Sequence, residues 1–153
     1  MYNKKIIALD LGDKWIGVAI ADSTGIICRP LTTFLLPQIL PELKSIIDEH
    51  KVFLIIVGLP KTMSGTSSLQ TEKTISMVKK IKQELEDQKL IFVQWKLWDE
   101  RLSSKRAQKI GKKRPSPEEK KKEHARAAAF ILQSYLDNLA FKKEISSNLD
   151  QEL

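Results

Sequence analysis

The stretch Ile6-Ile7-Ala8-Leu9-Asp10-Leu11-Gly12-Asp13-Lys14-Trp15-Ile16-Gly17-Val18-Ala19-Ile20 decides the fold. Residues 4–11 alternate as a strand does, with Ile6, Ala8 and Asp10 on one face and Ile7, Leu9 and Leu11 on the other. Gly12-Asp13-Lys14 reads as a tight turn, and Trp15 to Ile20 returns as a second strand, so the segment is a hairpin. Asp10 is thereby held at a strand end. Gly12 beside it carries no side chain to bar a ligand's approach.

A second acidic motif, Asp99-Glu100-Arg101, follows the apolar run Leu90-Ile91-Phe92-Val93, and residues 90–98 read as a further strand. Two strands that deliver carboxylates side by side make a metal-sized acidic pocket, suited to phosphodiester hydrolysis between paired cations. Either motif alone is equally explained by the wetness of strand ends. Glu100 is preferred as the partner of Asp10. Asp99 is its rival, because neighbours on a strand point to opposite faces.

Between these motifs a third strand is expected over Ile26 to Cys28, resuming near Leu31 to Phe34, with Pro30 breaking its ladder. Ile39, Leu40, Leu43, Ile46 and Ile47 repeat at helical spacing, so a helix is expected over 38–50. Val52 to Val57 is a continuous apolar run, as in a strand of a parallel sheet buried on both faces. After a loop rich in Ser, Thr and Gly comes a second helix with Leu69, Ile75, Val78, Ile81 and Leu85 on its apolar side. Ser103 is a candidate cap for a short helix, and Ser116-Pro117-Glu118-Glu119 opens a last helix reaching about Leu139. The order β-β-β-α-β-α-β-α predicts an α/β protein: a mixed five-stranded sheet with helices on both faces. Residues 1–140 are expected to form a single domain and 141–153 a polar, disordered tail.

The chain has 153 residues, 42% hydrophobic and 29% charged, the composition of an ordinary globular protein. No apolar run approaches the ~20 residues of a membrane span, and no secretory cleavage pattern precedes the first strand. The single cysteine, Cys28, excludes an internal disulfide framework and fits a reducing cytoplasm. The net charge of +7 is concentrated: residues 101–126 hold 11 Lys or Arg against 3 acids, and the rest of the chain is close to neutral. Lys14, Arg101, Lys105, Arg106, Lys112, Lys113 and Arg114 are candidates to hold a phosphate backbone, with binding that weakens in salt. Trp15, beside Asp10, is the better candidate to stack on a base; Trp95 reads as packing. No Gly-x-x-x-x-Gly-Lys-Ser/Thr run occurs, which excludes a Walker-type nucleotide loop.

His124 shares a helix face with Ala128, Ile131 and Tyr135, and that face is expected to pack on the sheet. A lone histidine there is ordinarily structural. Taken together, however, the motifs resemble those of the YqgF family, pre-16S ribosomal RNA nucleases related to Holliday-junction resolvases. Asp10 to Ala19 is similar to its opening motif, and Val57-Gly58-Leu59-Pro60 with Met63-Ser64-Gly65 to its second. Trp98-Asp99-Glu100-Arg101-Leu102-Ser103-Ser104 resembles its third, with serines where threonines are more usual. Ala127-Ala128, Ile131-Leu132-Gln133 and Tyr135-Leu136-Asp137 resemble its C-terminal helix.

The resemblance implies an RNase H-like fold and a divalent-metal-dependent nuclease of the bacterial cytoplasm, acting in ribosome biogenesis on the 5′ end of small-subunit rRNA. The alternatives are a Holliday-junction-type DNA resolvase and a non-catalytic nucleic-acid-binding module. The implied partner is structured RNA, a pre-rRNA or ribosomal subunit, or branched DNA, bound by a monomer or homodimer and not by way of a membrane. Asp10 and Glu100 match the catalytic acids. The last motif ordinarily begins with aspartate where this chain has His124. The implied site is Asp10 bridging two ions of Mg²⁺ or Mn²⁺, with Glu100 and His124 each completing one coordination sphere. Imidazole suits Mn²⁺ better than Mg²⁺.

Overall fold

The structure is a computed structural model that describes residues 4–60, 68–90, 92–100 and 116–151. Strands β1 (Lys5–Leu11), β2 (Trp15–Ala21) and β3 (Cys28–Leu35) lead through a 3-10 turn into helix α1 (Ile39–His50). Strand β4 (Val52–Leu59), helix α2 (Leu69–Asp87), strand β5 (Gln94–Asp99) and helix α3 (Pro117–Gln151) follow. The five strands lie in the order β3-β2-β1-β4-β5. The β1–β2 and β2–β3 pairs are antiparallel, and β1–β4 and β4–β5 are parallel. This is the mixed α/β sheet expected from the element order.

Each strand sorts its side chains by parity. Ile7, Leu9, Ile16, Val18, Ile55 and Val57 face α1 and α2 in one core. Ala8, Ala19, Ala21 and Ile56 face the other way, under Ala128, Ile131, Leu132 and Leu136 of α3. Helices therefore cover both faces. The α3 side of the sheet is the one of small residues, which allows the helix to sit close. Burying Ile131, Leu132 and Leu136 stabilises that docking by roughly 1.5–3 kcal/mol each.

Four expectations need correction. β3 is a continuous strand through Pro30, because it is the sheet edge and a bulge opposite Val18 and Ala19 absorbs the proline. β5 begins at Gln94, not Leu90: Leu90 and Val93 are buried as plugs in the α1–α2 core, after a turn with Lys89 at φ 66°. Helix α3 runs past Leu139 to Gln151, so residues 141–151, expected as a disordered tail, are helical. On α2 the buried side is Thr71, Thr74, Val78, Ile81 and Leu85, while Leu69 is exposed. The Ser103-capped helix and the segment Met63-Ser64-Gly65 lie outside the described residues.

Candidate active site

Asp10 is the penultimate residue of β1 and, by parity with Ala8, projects to the α3 side of the sheet. Its neighbour in the ladder is Gly17 of β2. There α3 crosses the sheet so closely that a Cβ on Gly17 would stand 2.0 Å from the His124 carbonyl oxygen and 2.7 Å from the Ala125 nitrogen. The missing side chain lets the helix backbone rest on the strand. It also sets His124 over Asp10, with His124 Nδ1 3.3 Å from Asp10 Oδ2. Both side chains are mostly covered, at 30% and 18% exposed. Gly12 closes the same corner, since a Cβ there would lie 3.2 Å from His124 Cε1.

Glu100 follows the last residue of β5. A Cβ on Gly58 of β4 would stand 2.8 Å from Glu100 Oε1, so the carboxylate occupies the space above this glycine. Leu9 is paired with Val57, and one step further the parallel ladder sets Asp10 beside Gly58. Glu100 thus lies over the strand next to Asp10, on the face where Ile131 of α3 also packs. Asp99, the rival, has the opposite parity and turns towards the α1–α2 side.

The start of α3 fixes where His124 falls. Glu119 donates its backbone N–H to Ser116 Oγ at 3.2 Å, and Ser116 N–H donates to Glu119 Oε2 at 2.8 Å. This reciprocal capping box starts the helix two turns before the histidine.

The three predicted site residues therefore gather at one end of the sheet's α3 face, with Asp10 and His124 in contact and Glu100 one strand over. Among the described residues no three His, Cys, Asp or Glu side chains are close enough to enclose a metal ion. The pair nonetheless fits one. Two ligands at right angles on a divalent cation with bonds of about 2.1 Å stand about 3 Å apart, close to the Asp10–His124 spacing. Two carboxylates and an imidazole are a donor set suited to a divalent cation.

Of the predicted phosphate contacts, Lys14 lies on the β1–β2 turn with its ammonium 5.8 Å from the Trp15 ring centroid. Arg101, Lys105, Arg106, Lys112, Lys113 and Arg114 lie outside the described residues. Trp15 does not offer both faces to a base, since Lys121 of α3 also covers its ring at 4.8 Å. Trp98 is engaged inward, donating to Ser134 Oγ at 3.1 Å and meeting Tyr135 edge-on at 5.3 Å. Trp95 packs against the α1–α2 core, as expected. Gly17 and Gly58 were not read from sequence as parts of this site. A glycine interrupting an otherwise apolar strand is the available signal, because it marks close approach of another backbone or side chain.

The fold and the site together define an RNase H-like protein with an acidic corner shared by its central strands and its last helix. The T. thermophilus RuvC structure shares this fold at a TM-score of 0.50 and 12% identity, covering 86% of this chain and 93% of that one. The family model described as RuvX, Holliday junction resolvase, matches residues 4–138. A protein of Clostridium kluyveri named "Putative pre-16S rRNA nuclease" is 37% identical over 141 residues, 89% of this chain and 98% of its own length. One of the same name from Thermoanaerobacter pseudethanolicus is 40% identical over 140 residues, 88% of this chain and 96% of its own. The chain belongs to the RuvX family, which is the family its motifs resemble.

Proposed function

We propose that this chain is a divalent-metal-dependent nuclease that hydrolyses phosphodiester bonds, acting in the cytoplasm on the 5′ end of the small-subunit rRNA precursor. The observation that carries the reading is the meeting of Asp10 with His124 where β1 ends, beside the Glu100 carboxylate. The names of the relatives support an RNA substrate, and the family description supports a branched-DNA alternative. Asp10 and Glu100 would hold the cation through hard carboxylate oxygens and His124 through a ring nitrogen. When bound, such an ion supplies Lewis acidity towards the phosphate and lowers the pKa of water. The contact between Asp10 Oδ2 and His124 Nδ1 fixes how the imidazole is turned towards the carboxylates. Both side chains are partly covered, which limits the water around them.

Asp10→Asn should abolish cleavage of a pre-rRNA fragment in Mg²⁺ or Mn²⁺ while leaving salt-sensitive binding in place. Wild-type rates from the purified variant would refute the assignment. A second reading, a nucleic-acid binder with a decayed site, draws on the lack of a three-residue ligand cluster among the described residues. His124→Asp separates the two: a large gain in cleavage from an inert parent would favour the binder.

A further inference from the structure

Beyond the candidate site, α3 and the edge strand β3 enclose a groove of about 420 Å³, lined among others by Pro30, Thr32, Thr33, Lys121, Lys122 and Arg126. Among its lining residues there are three cations and no carboxylate. All three cationic residues are exposed, and Lys122 and Arg126 are one helical turn apart on the same side of α3. Its two walls are tied together where Thr33 Oγ1 donates to the Lys121 carbonyl at 2.7 Å. Thr33 is the ladder partner of Gly17, the residue over which His124 sits, so the groove begins beside the candidate site.

Trp15 joins the two. Its ring lies under Lys121 at 4.8 Å and Lys14 at 5.8 Å, gathering one ammonium from α3 and one from the β1–β2 turn. Lysine side chains ordinarily lose rotamer freedom when they grip a ligand. Here part of that ordering is already done. Asp13 is paired with Lys73 at 2.7 Å, and Glu118, Glu119 and Glu123 lie on α3 but do not line the groove.

We infer that this groove is the track for the phosphodiester backbone flanking the scissile bond, with Lys121, Lys122 and Arg126 as phosphate contacts and Trp15 as the positioning residue that holds Lys14 and Lys121. The inference rests on the nucleic-acid reading above and adds three cations of the 101–126 segment that are not among the phosphate contacts expected from sequence. Contacts of this kind carry no base information, so the track favours neither RNA nor DNA by sequence.

The test is fluorescence anisotropy of a labelled single-stranded RNA and of a duplex DNA, each titrated across a range of salt, in the Asp10→Asn background that prevents cleavage. Each lost phosphate contact lowers the slope of log K against log salt by about 0.7 for single strands and 0.9 for duplex. The combined Lys121→Ala, Lys122→Ala, Arg126→Ala variant should lose about 2–3 units of slope and more than tenfold in affinity at about 0.15 M salt. Lys142→Ala with Lys143→Ala, exposed further along α3, should leave the slope unchanged. Trp15→Leu should lower the slope where Trp15→Phe, which keeps an aromatic face, restores it. A triple variant with the parent's slope and affinity overturns the track, and equal slopes for Leu and Phe overturn the role of Trp15. A parent that binds while the wild type fails to cleave in any divalent ion removes the nuclease and leaves the track standing. A parent that binds neither probe overturns both.

Discussion

Gly17→Ala is the sharpest perturbation the geometry offers. The added methyl would stand 2.0 Å from the His124 carbonyl oxygen, 2.1 Å from its carbon and 2.7 Å from the Ala125 nitrogen. All three are backbone atoms, so no side-chain rotation relieves the clash. Restoring an ordinary separation of about 3.4 Å forces α3 back from β2 by roughly 1.4 Å. Overpacking of this kind costs about 3 kcal/mol, the upper end of its usual range, because the helix must also leave contacts with Ala8, Ala19 and Ile56. For a chain of this length that is a fall in Tm of roughly 6–12 °C. The same retreat takes His124 out of reach of Asp10, now 3.3 Å away, and a displacement of about 1 Å can cost about a hundredfold in rate. Circular-dichroism melts and cleavage rates, measured on one preparation, read both effects. Gly25→Ala is the control: at φ +69° it meets backbone strain of about 1–2 kcal/mol, yet no atom lies within 4 Å of its Cβ. A Gly17→Ala protein that melts no lower than Gly25→Ala and cleaves at the wild-type rate would refute the close approach of α3.

Gly58→Ala should lower both stability and activity. Its Cβ would crowd Cδ1 of the fully buried Ile131, which must repack, and stand 2.8 Å from the Glu100 carboxylate, which would be displaced; a lower Tm together with a large loss of cleavage is expected. Ser116→Ala removes a capping-box partner and should cost about 1 kcal/mol in denaturant titration, by fraying the turns that lead to His124. Burial pushes the Cys28 thiol up to about 11 from its usual 9.0. At pH 8 about one Cys28 in a thousand is then ionised, so iodoacetamide should label the folded protein far more slowly than the unfolded one. Because the folded-state pKa is the higher, the stabilising effect of the neutral thiol is full below pH 9 and is lost as the pH rises towards about 11. Equal labelling of folded and unfolded chains at pH 8 would contradict this burial.

The hairpin, the buried run of β4 and the two faces of β1 were legible because each is a strong local pattern: alternation, a turn, an unbroken apolar stretch. β5 was misplaced for a physical reason. It is an edge strand with Gln94, Lys96 and Leu97 exposed, so its pattern is weak, while the apolar residues just before it plug the core without pairing. The same logic explains β3, where an edge position and a bulge make room for Pro30. At the site, Asp10 and His124 were readable from a strand end and a helical stripe. The means of bringing them together was not, because Gly17 acts through what it lacks, and an absent side chain leaves no hydrophobic or charge signal. Lys121, Lys122 and Arg126 belong by sequence to the basic block, and only the packing of α3 against β3 shows which of its cations share a groove.

Placing His124 on the helix that also covers one whole side of the sheet has a consequence for when chemistry becomes possible. Asp10 and Glu100 come from the sheet, whereas their nitrogen-bearing companion is supplied only by docked α3, which rests on Ala8, Ala19 and Ile56. Under the proposed site, a chain with α3 undocked would lack the imidazole, so competence to cut would accompany completed packing. For an agent that severs nucleic acid, this coupling acts as a safeguard against misfolded copies.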